Sequence, residues 1–149
     1  MKRKIKLLNL LVWYKNLYEN LAKQEFSLCQ QAIEELKKRR EEVNEEIVEG
    51  YQRINKKRVF RGEEIVNYFT ELQNLREIKD KIEVELIHKE REREHLFEVL
   101  KGRYRERRLV EILRDKIEGL WEREEERRFL NEMNELVLLL RTHREKENI

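Results

Sequence analysis

Large apolar side chains recur along the first part of the chain at alternating steps of four and three: Leu7, Leu11, Tyr14, Tyr18 and Leu21, then, past Glu25, Leu28 and Ala32. This spacing lays one apolar stripe along a helix and is the heptad signature of helices that pack side by side. The next apolar marks are Leu36, Val43, Ile47 and Ile54. Leu28, Ala32 and Leu36 therefore follow at steps of four and four, a stutter at which the supercoil is expected to unwind locally. Periodicity then lapses through Asn55, Lys56, Lys57, Arg58 and Gly62, a cluster with turn chemistry. Gly62 is expected to supply a positive φ, and Glu63 and Glu64 suit the first turn of a new helix, where the backbone dipole favours negative charge. Beyond it one seam runs through Ile65, Tyr68, Leu72, Leu75, Ile82, Leu86, Leu96 and Leu100, then Val110, Leu113, Ile117 and Leu120, and finally Leu130, Met133, Val137 and Leu140. The pattern predicts an all-α fold of two long helices in an antiparallel coiled-coil hairpin. It reads as a single domain over 1–149, with a first arm over 3–55, a turn over 56–62 and a longer second arm over 63–146.

Folding the chain back near residue 59 sets Ile54 against Ile65, Ile47 against Leu72, Val43 against Leu75, Leu36 against Ile82, Leu21 against Phe97 and Tyr14 against Tyr104. Six apolar pairs in one register support the hairpin. At a rise of 1.5 Å per residue the arms measure roughly 80 and roughly 125 Å, so some 30 residues of the second overhang the first. Two charged stretches, Lys89–Glu94 and Glu122–Arg128, interrupt the seam. Pairs such as Glu90 with Arg93, Glu124 with Arg128 and Glu34 with Lys38 sustain helix there, but at tenths of a kcal/mol each they hold no partner tightly, and a loose middle is expected.

Composition narrows the alternatives. Charged residues make up 44% of the chain and hydrophobic ones 39%, with no proline and four glycines. A chain this polar cannot fill an interior several side chains thick, so an elongated shape is implied. The net charge of +2 leaves no field of one sign to hold a polyanion. Cys29 stands alone, which excludes an internal disulfide and fits a reducing compartment. The basic start Lys2, Arg3, Lys4 and Lys6 before Leu7–Tyr14 resembles a signal peptide only superficially, since Asn9 interrupts the apolar stretch and no small-residue cleavage site follows. No segment reaches the roughly 18 apolar residues of a membrane span, and a cytoplasmic location is expected.

The residue inventory points away from catalysis. No glycine-rich phosphate loop, zinc-type cysteine pair or activated nucleophile is present, and a two-helix hairpin has no water-poor pocket in which to build one. Glu92-x-x-His95 is half of a di-iron bundle motif, but such sites need a second copy and further carboxylates, so no metal and no cofactor are expected; His88 and His143 read as surface residues. Arg103-Tyr104-Arg105-Glu106-Arg107-Arg108 mixes basic and aromatic residues as single-strand binders do. Glu106 and Glu111 dilute it, and no nucleic-acid partner is expected. What remains is apolar surface wider than one facing helix can cover, around Leu7–Tyr18 and again over Phe129–Leu140. Apolar patches of this kind mark docking sites, and Leu7, Leu11, Trp13, Leu130, Met133, Val137 and Leu140 are the expected anchors.

Leu7-Leu8-Asn9-Leu10-Leu11-Val12-Trp13-Tyr14-Lys15, followed by Glu19 and Ala22, resembles the opening of the FliJ family of flagellar export proteins. Tyr68-Phe69-x-x-Leu72-x-x-Leu75 and Tyr104-x-Glu106-Arg107-Arg108-x-x-Glu111-x-Leu113 are similar to later stretches of that family. Asn134-Glu135 stands where the family commonly has Asp-Glu. The resemblance implies a non-enzymatic coiled coil, similar to the central stalk of rotary ATP synthases, set in the hexamer of the flagellar export ATPase and promoting its assembly and ATP hydrolysis. It further implies contacts with export chaperones and with the membrane protein of the export gate, without direct membrane insertion, at the cytoplasmic base of the flagellum. The anchors above would then be the ATPase-binding surface. Tyr68, Leu72, Leu75 and Lys79 would be the gate-binding surface, although the register equally makes Leu72 and Leu75 seam core. The equivalent stalk of a virulence type III secretion system and a generic self-associating structural coiled coil are the alternative readings.

Overall fold

The computed structural model describes residues 1–57 and 59–147; Arg58, part of the expected turn, and the last two residues lie outside the described residues. Two helices account for nearly all of it, α1 over Lys2–Lys56 and the longer α2 over Gly62–Glu147. They pack antiparallel as an all-α hairpin, and no strand occurs among the described residues. Helix α2 opens with Glu63 and Glu64 in its first turn, as the dipole argument expects, and closes with Arg144 and Lys146 in its last. The turn is made without a positive φ at any described residue, so Gly62 does not act as expected. It is simply the first helical residue, and the chain enters α2 through N–H groups of Glu64 and Ile65 that donate to the Arg61 carbonyl. Lys57 closes the end by donating to Glu64 at 2.8 Å and lying near the rings of Phe60 and Tyr68.

The chain divides into two compact units, Asn20–Gly102 and the pair Met1–Glu19 with Arg103–Ile149. In the turn-side unit the core is Cys29, Ile33, Val43, Ile82 and Leu86, with Leu36, Ile47, Leu75 and Leu96 packed against it. Of Lys89–Glu94, expected to loosen the middle, Lys89, Glu90 and Arg93 are half-buried, whereas Arg91, Glu92 and Glu94 are exposed. The Cys29 thiol donates to the Lys89 carbonyl, and Arg93 donates to Gln30.

Burial along α1 corrects the heptad. Its covered positions in the turn-side unit run Ala22, Phe26, Cys29, Ile33, Leu36, Arg40, Val43, Ile47, Gly50 and Ile54, an unbroken alternation of four and three with no stutter. The expected stripe, Leu21, Leu28 and Ala32, is displaced from this seam by one residue, which on a helix of 3.6 residues per turn is a rotation of about 100°. The apparent stutter is the step from the wrong stripe onto the right one at Leu36. On α2 the seam through Leu72, Leu75, Ile82, Leu86, Leu96 and Leu100 is as expected.

Several side-chain contacts also fall later than the expected pairing. Touching pairs have residue numbers totalling 121 for Lys15 with Glu106 and for Tyr18 with Arg103, and 123 for Phe26 with Phe97 and for Asn9 with Arg114, against the expected 118 to 119. Side chains on a helix lean toward its N-terminus and cover the turn before their own Cα. In an antiparallel pair the two leans are opposed, so contacting residues each lie about one position later than the facing Cα atoms, and long side chains reach further. Phe97 therefore meets Phe26 at 5.8 Å rather than Leu21, and Tyr104 lies under Arg107 rather than against Tyr14.

Candidate functional site

The terminal unit has a different interior. Among the described residues all buried hydrophobic ones, from Ala22 to Leu86, belong to the turn-side unit. In the terminal unit the α1 seam is Ile5, Leu8, Val12, Lys15 and Glu19, and the apolar members are only half-buried. Across from it stand Arg103, Arg107, Val110, Arg114, Ile117 and Trp121. Core heptad positions are thus filled by charge. Glu19, 2% exposed, accepts from Arg107, which also donates to Glu111 at 2.6 Å, and Arg108 donates to the other oxygen of Glu111 at 3.1 Å. Lys15 donates to Glu106 at 3.1 Å, and Arg114 reaches the Asn9 side-chain oxygen at 3.5 Å.

These contacts set the electrostatics. The Lys15 ammonium holds Glu106 below the usual carboxylate range, and Arg107, then Arg108, do the same for Glu111. Arg107 is raised by its bonds to Glu19 and Glu111. The basic run at 103–108, considered for nucleic acid, has Arg103, Arg107 and Arg108 engaged with Glu106, Glu19 and Glu111 within the hairpin. Glu92, considered with His95 for metal, accepts from Lys89, and no group of three or more potential ligands gathers among the described residues.

The displaced stripe becomes a surface. Leu7, Leu11, Tyr14 and Tyr18 each precede a seam residue by one and are exposed. On α2, Leu109, Leu113 and Leu120 precede Val110, Arg114 and Trp121 in the same way and are also exposed. Positions one before the seam flank the same side of an antiparallel pair, as the contacts of Lys15 with Glu106 and Tyr18 with Arg103 show. Leu109, Leu113 and Leu120 were missed as surface because Leu113 and Leu120 read as seam. The signal was present in Trp121, one residue on and half-buried.

Coverage of α2 stops at Glu124, and every described residue from 125 to 147 is exposed. This is the overhang, and Phe129, Leu130, Met133, Leu136, Val137, Leu138, Leu139 and Leu140 are 43–66% exposed on it. All seven expected ATPase anchors, Leu7, Leu11, Trp13, Leu130, Met133, Val137 and Leu140, are therefore exposed in one unit. Trp13, with its ring edge-on to Tyr14 at 5.1 Å, lies off the stripe.

The other expected set lies in the turn-side unit and divides. Leu72 is 4% exposed, and Leu75 packs on the core, so both are interior. Lys79 occupies the seam position between Leu75 and Ile82 and is half-buried. Tyr68 is half-buried with its ring edge-on to Phe60 at 6.0 Å. No described helix is long and apolar enough to cross a membrane. No family model, no curated protein and no solved structure matches the chain.

Proposed function

We propose that this chain is a non-enzymatic docking hairpin of a type III export apparatus, the flagellar one by its resemblance to the FliJ family, acting as the central stalk of the export ATPase ring. One observation carries the reading: the terminal unit exposes a second heptad stripe on α1 and a bare apolar overhang on α2. Fully burying a Leu or Met contributes roughly 1.5–3 kcal/mol, so a surface of this kind is stabilised by a partner that supplies apolar wall around it. A ring does so on every side of a helix pair, and an acidic rim would offset Lys2, Arg3, Lys4 and Lys6 at the start of α1. Contact with the export gate or with chaperones, if made through the turn-side unit, falls to Val66, Phe69 and the polar tips of Tyr68 and Lys79, because Leu72 and Leu75 are occupied inside.

The test is to remove residues 130–149 and measure ATP hydrolysis by the flagellar export ATPase. Loss of stimulation with the remaining helical circular dichroism intact is expected, and full stimulation by the shortened chain would refute the insertion of this end. Testing the ATPase of a virulence system in parallel separates the two secretion readings.

A further inference from the structure

We propose that the α2 overhang pairs antiparallel with the overhang of a second copy of this chain. The argument rests on the order of residues along one face. Leu130, Met133, Val137 and Leu140 are spaced three, four, three and are all exposed. The same alternation extends outward to Glu126 and Arg123 on one side and to Arg144 and Glu147 on the other. Read from either end the row is self-complementary. A two-fold axis at position 135 sets Met133 against Val137, Leu130 against Leu140, Glu126 against Arg144 and Arg123 against Glu147, each pairing occurring twice. The inner layers are apolar and the outer layers opposite in charge, the arrangement an isologous interface needs.

Charge also selects the direction. Parallel strands in register would set Glu126 on Glu126 and Arg144 on Arg144, which is repulsive. Among the described residues Arg123, Glu126 and Arg144 have no ion-pair partner within their own chain, whereas Arg128 pairs with Glu125 and His143 with Glu147. One edge of the pair is favourable, with Leu136 beside its own copy and Phe129 beside His143. The other sets Arg127 near Arg141 and weakens it. The eight seam leucine, methionine and valine side chains of the two copies, at roughly 100 Å² each, bury somewhat under 1,000 Å², which is the size of a transient interface. A dissociation constant on the order of micromolar is expected. The pairing does not depend on any export partner. Should the chain also dock in a ring through these side chains, the two states exclude each other.

Sedimentation of the full chain from about 1 to about 100 µM at low salt tests this, with the weight-average mass expected to rise across the range toward that of a dimer. Glu126→Arg alone and Arg144→Glu alone should each weaken the dimer by about tenfold or more, and the two changes together should restore it, because the charges are then opposite again. Leu130→Ser with Val137→Ser should leave a monomer of unchanged helical content. Mixed copies carrying Leu130→Cys and Leu140→Cys should form a disulfide with each other. A monomer throughout, a dimer indifferent to the single charge changes, no restoration in the double variant, or Leu130→Cys linking to itself would each overturn the proposal.

Discussion

The displaced seam makes a sharp prediction about two residues five positions apart on α1. Ile33 is fully buried, whereas Leu28 is 66% exposed. Truncating a buried Ile to Ala costs about 2–5 kcal/mol through lost transfer free energy and the cavity left behind. A two-layer core lets neighbours and water close on the gap, so Ile33→Ala should fall near the low end, about 2–3 kcal/mol. Leu28 keeps only about a third of its side chain covered, worth roughly 0.5–1 kcal/mol, and alanine returns a few tenths through its better helix propensity. Leu28→Ala should therefore cost about 0.5 kcal/mol or less, leaving the variants about 2 kcal/mol apart. Denaturant unfolding followed by circular dichroism at equal protein concentration measures the difference, provided that the slopes agree. A stuttered heptad with Leu28 in the seam gives the reverse order. Equal losses, or a larger loss for Leu28→Ala, would refute the assignment of the seam.

Gly102→Ala and Gly119→Ala should each stabilise by about 0.5–1 kcal/mol in thermal melts, since an added methyl meets nothing within 4 Å and helix propensity favours alanine. Gly50→Ala should gain clearly less, because its methyl would stand 2.9 Å from Leu72 Cδ2 in the seam. Backbone amides of the α1 segment in the terminal unit should exchange with deuterium faster than those of Ile33–Val43, because among the described residues every buried apolar one lies in the turn-side unit; equal protection would contradict that difference. Acid should loosen the terminal unit. Glu106 and Glu111 are held below their ordinary values, so their contribution is present above the unfolded glutamate pKa of about 4.3 and is lost as pH falls through the lower folded values. Fluorescence of half-buried Trp121 should report this, and Glu106→Gln should flatten the pH dependence.

Helix, turn and arm lengths were legible in the sequence because they follow from local chemistry. Apolar residues at steps of three and four with no proline specify two long helices, and the polar cluster before Gly62 specifies where they part. The exposure of Leu130, Met133, Val137 and Leu140 was legible too, since a longer second arm must outrun the first. Which of two apolar stripes on α1 faces α2 was not legible. Leu7, Leu11, Tyr14, Tyr18, Leu21 and Leu28 outweigh Val12, Lys15, Glu19, Ala22 and Cys29 in hydrophobicity, yet the second row is the seam. The reason is phase. A helix packed at Ile33, Leu36, Val43 and Ile47 has one face fixed, and a heptad carried back from there reaches Cys29, Ala22, Glu19 and Lys15 whatever their polarity. Arg107 and Glu106 on α2 then make Glu19 and Lys15 acceptable inside. Hydrophobicity is a property of each residue, but the seam is a property of both helices. The more apolar stripe lies outside because it stands about 100° around the helix from the face that this packing fixes.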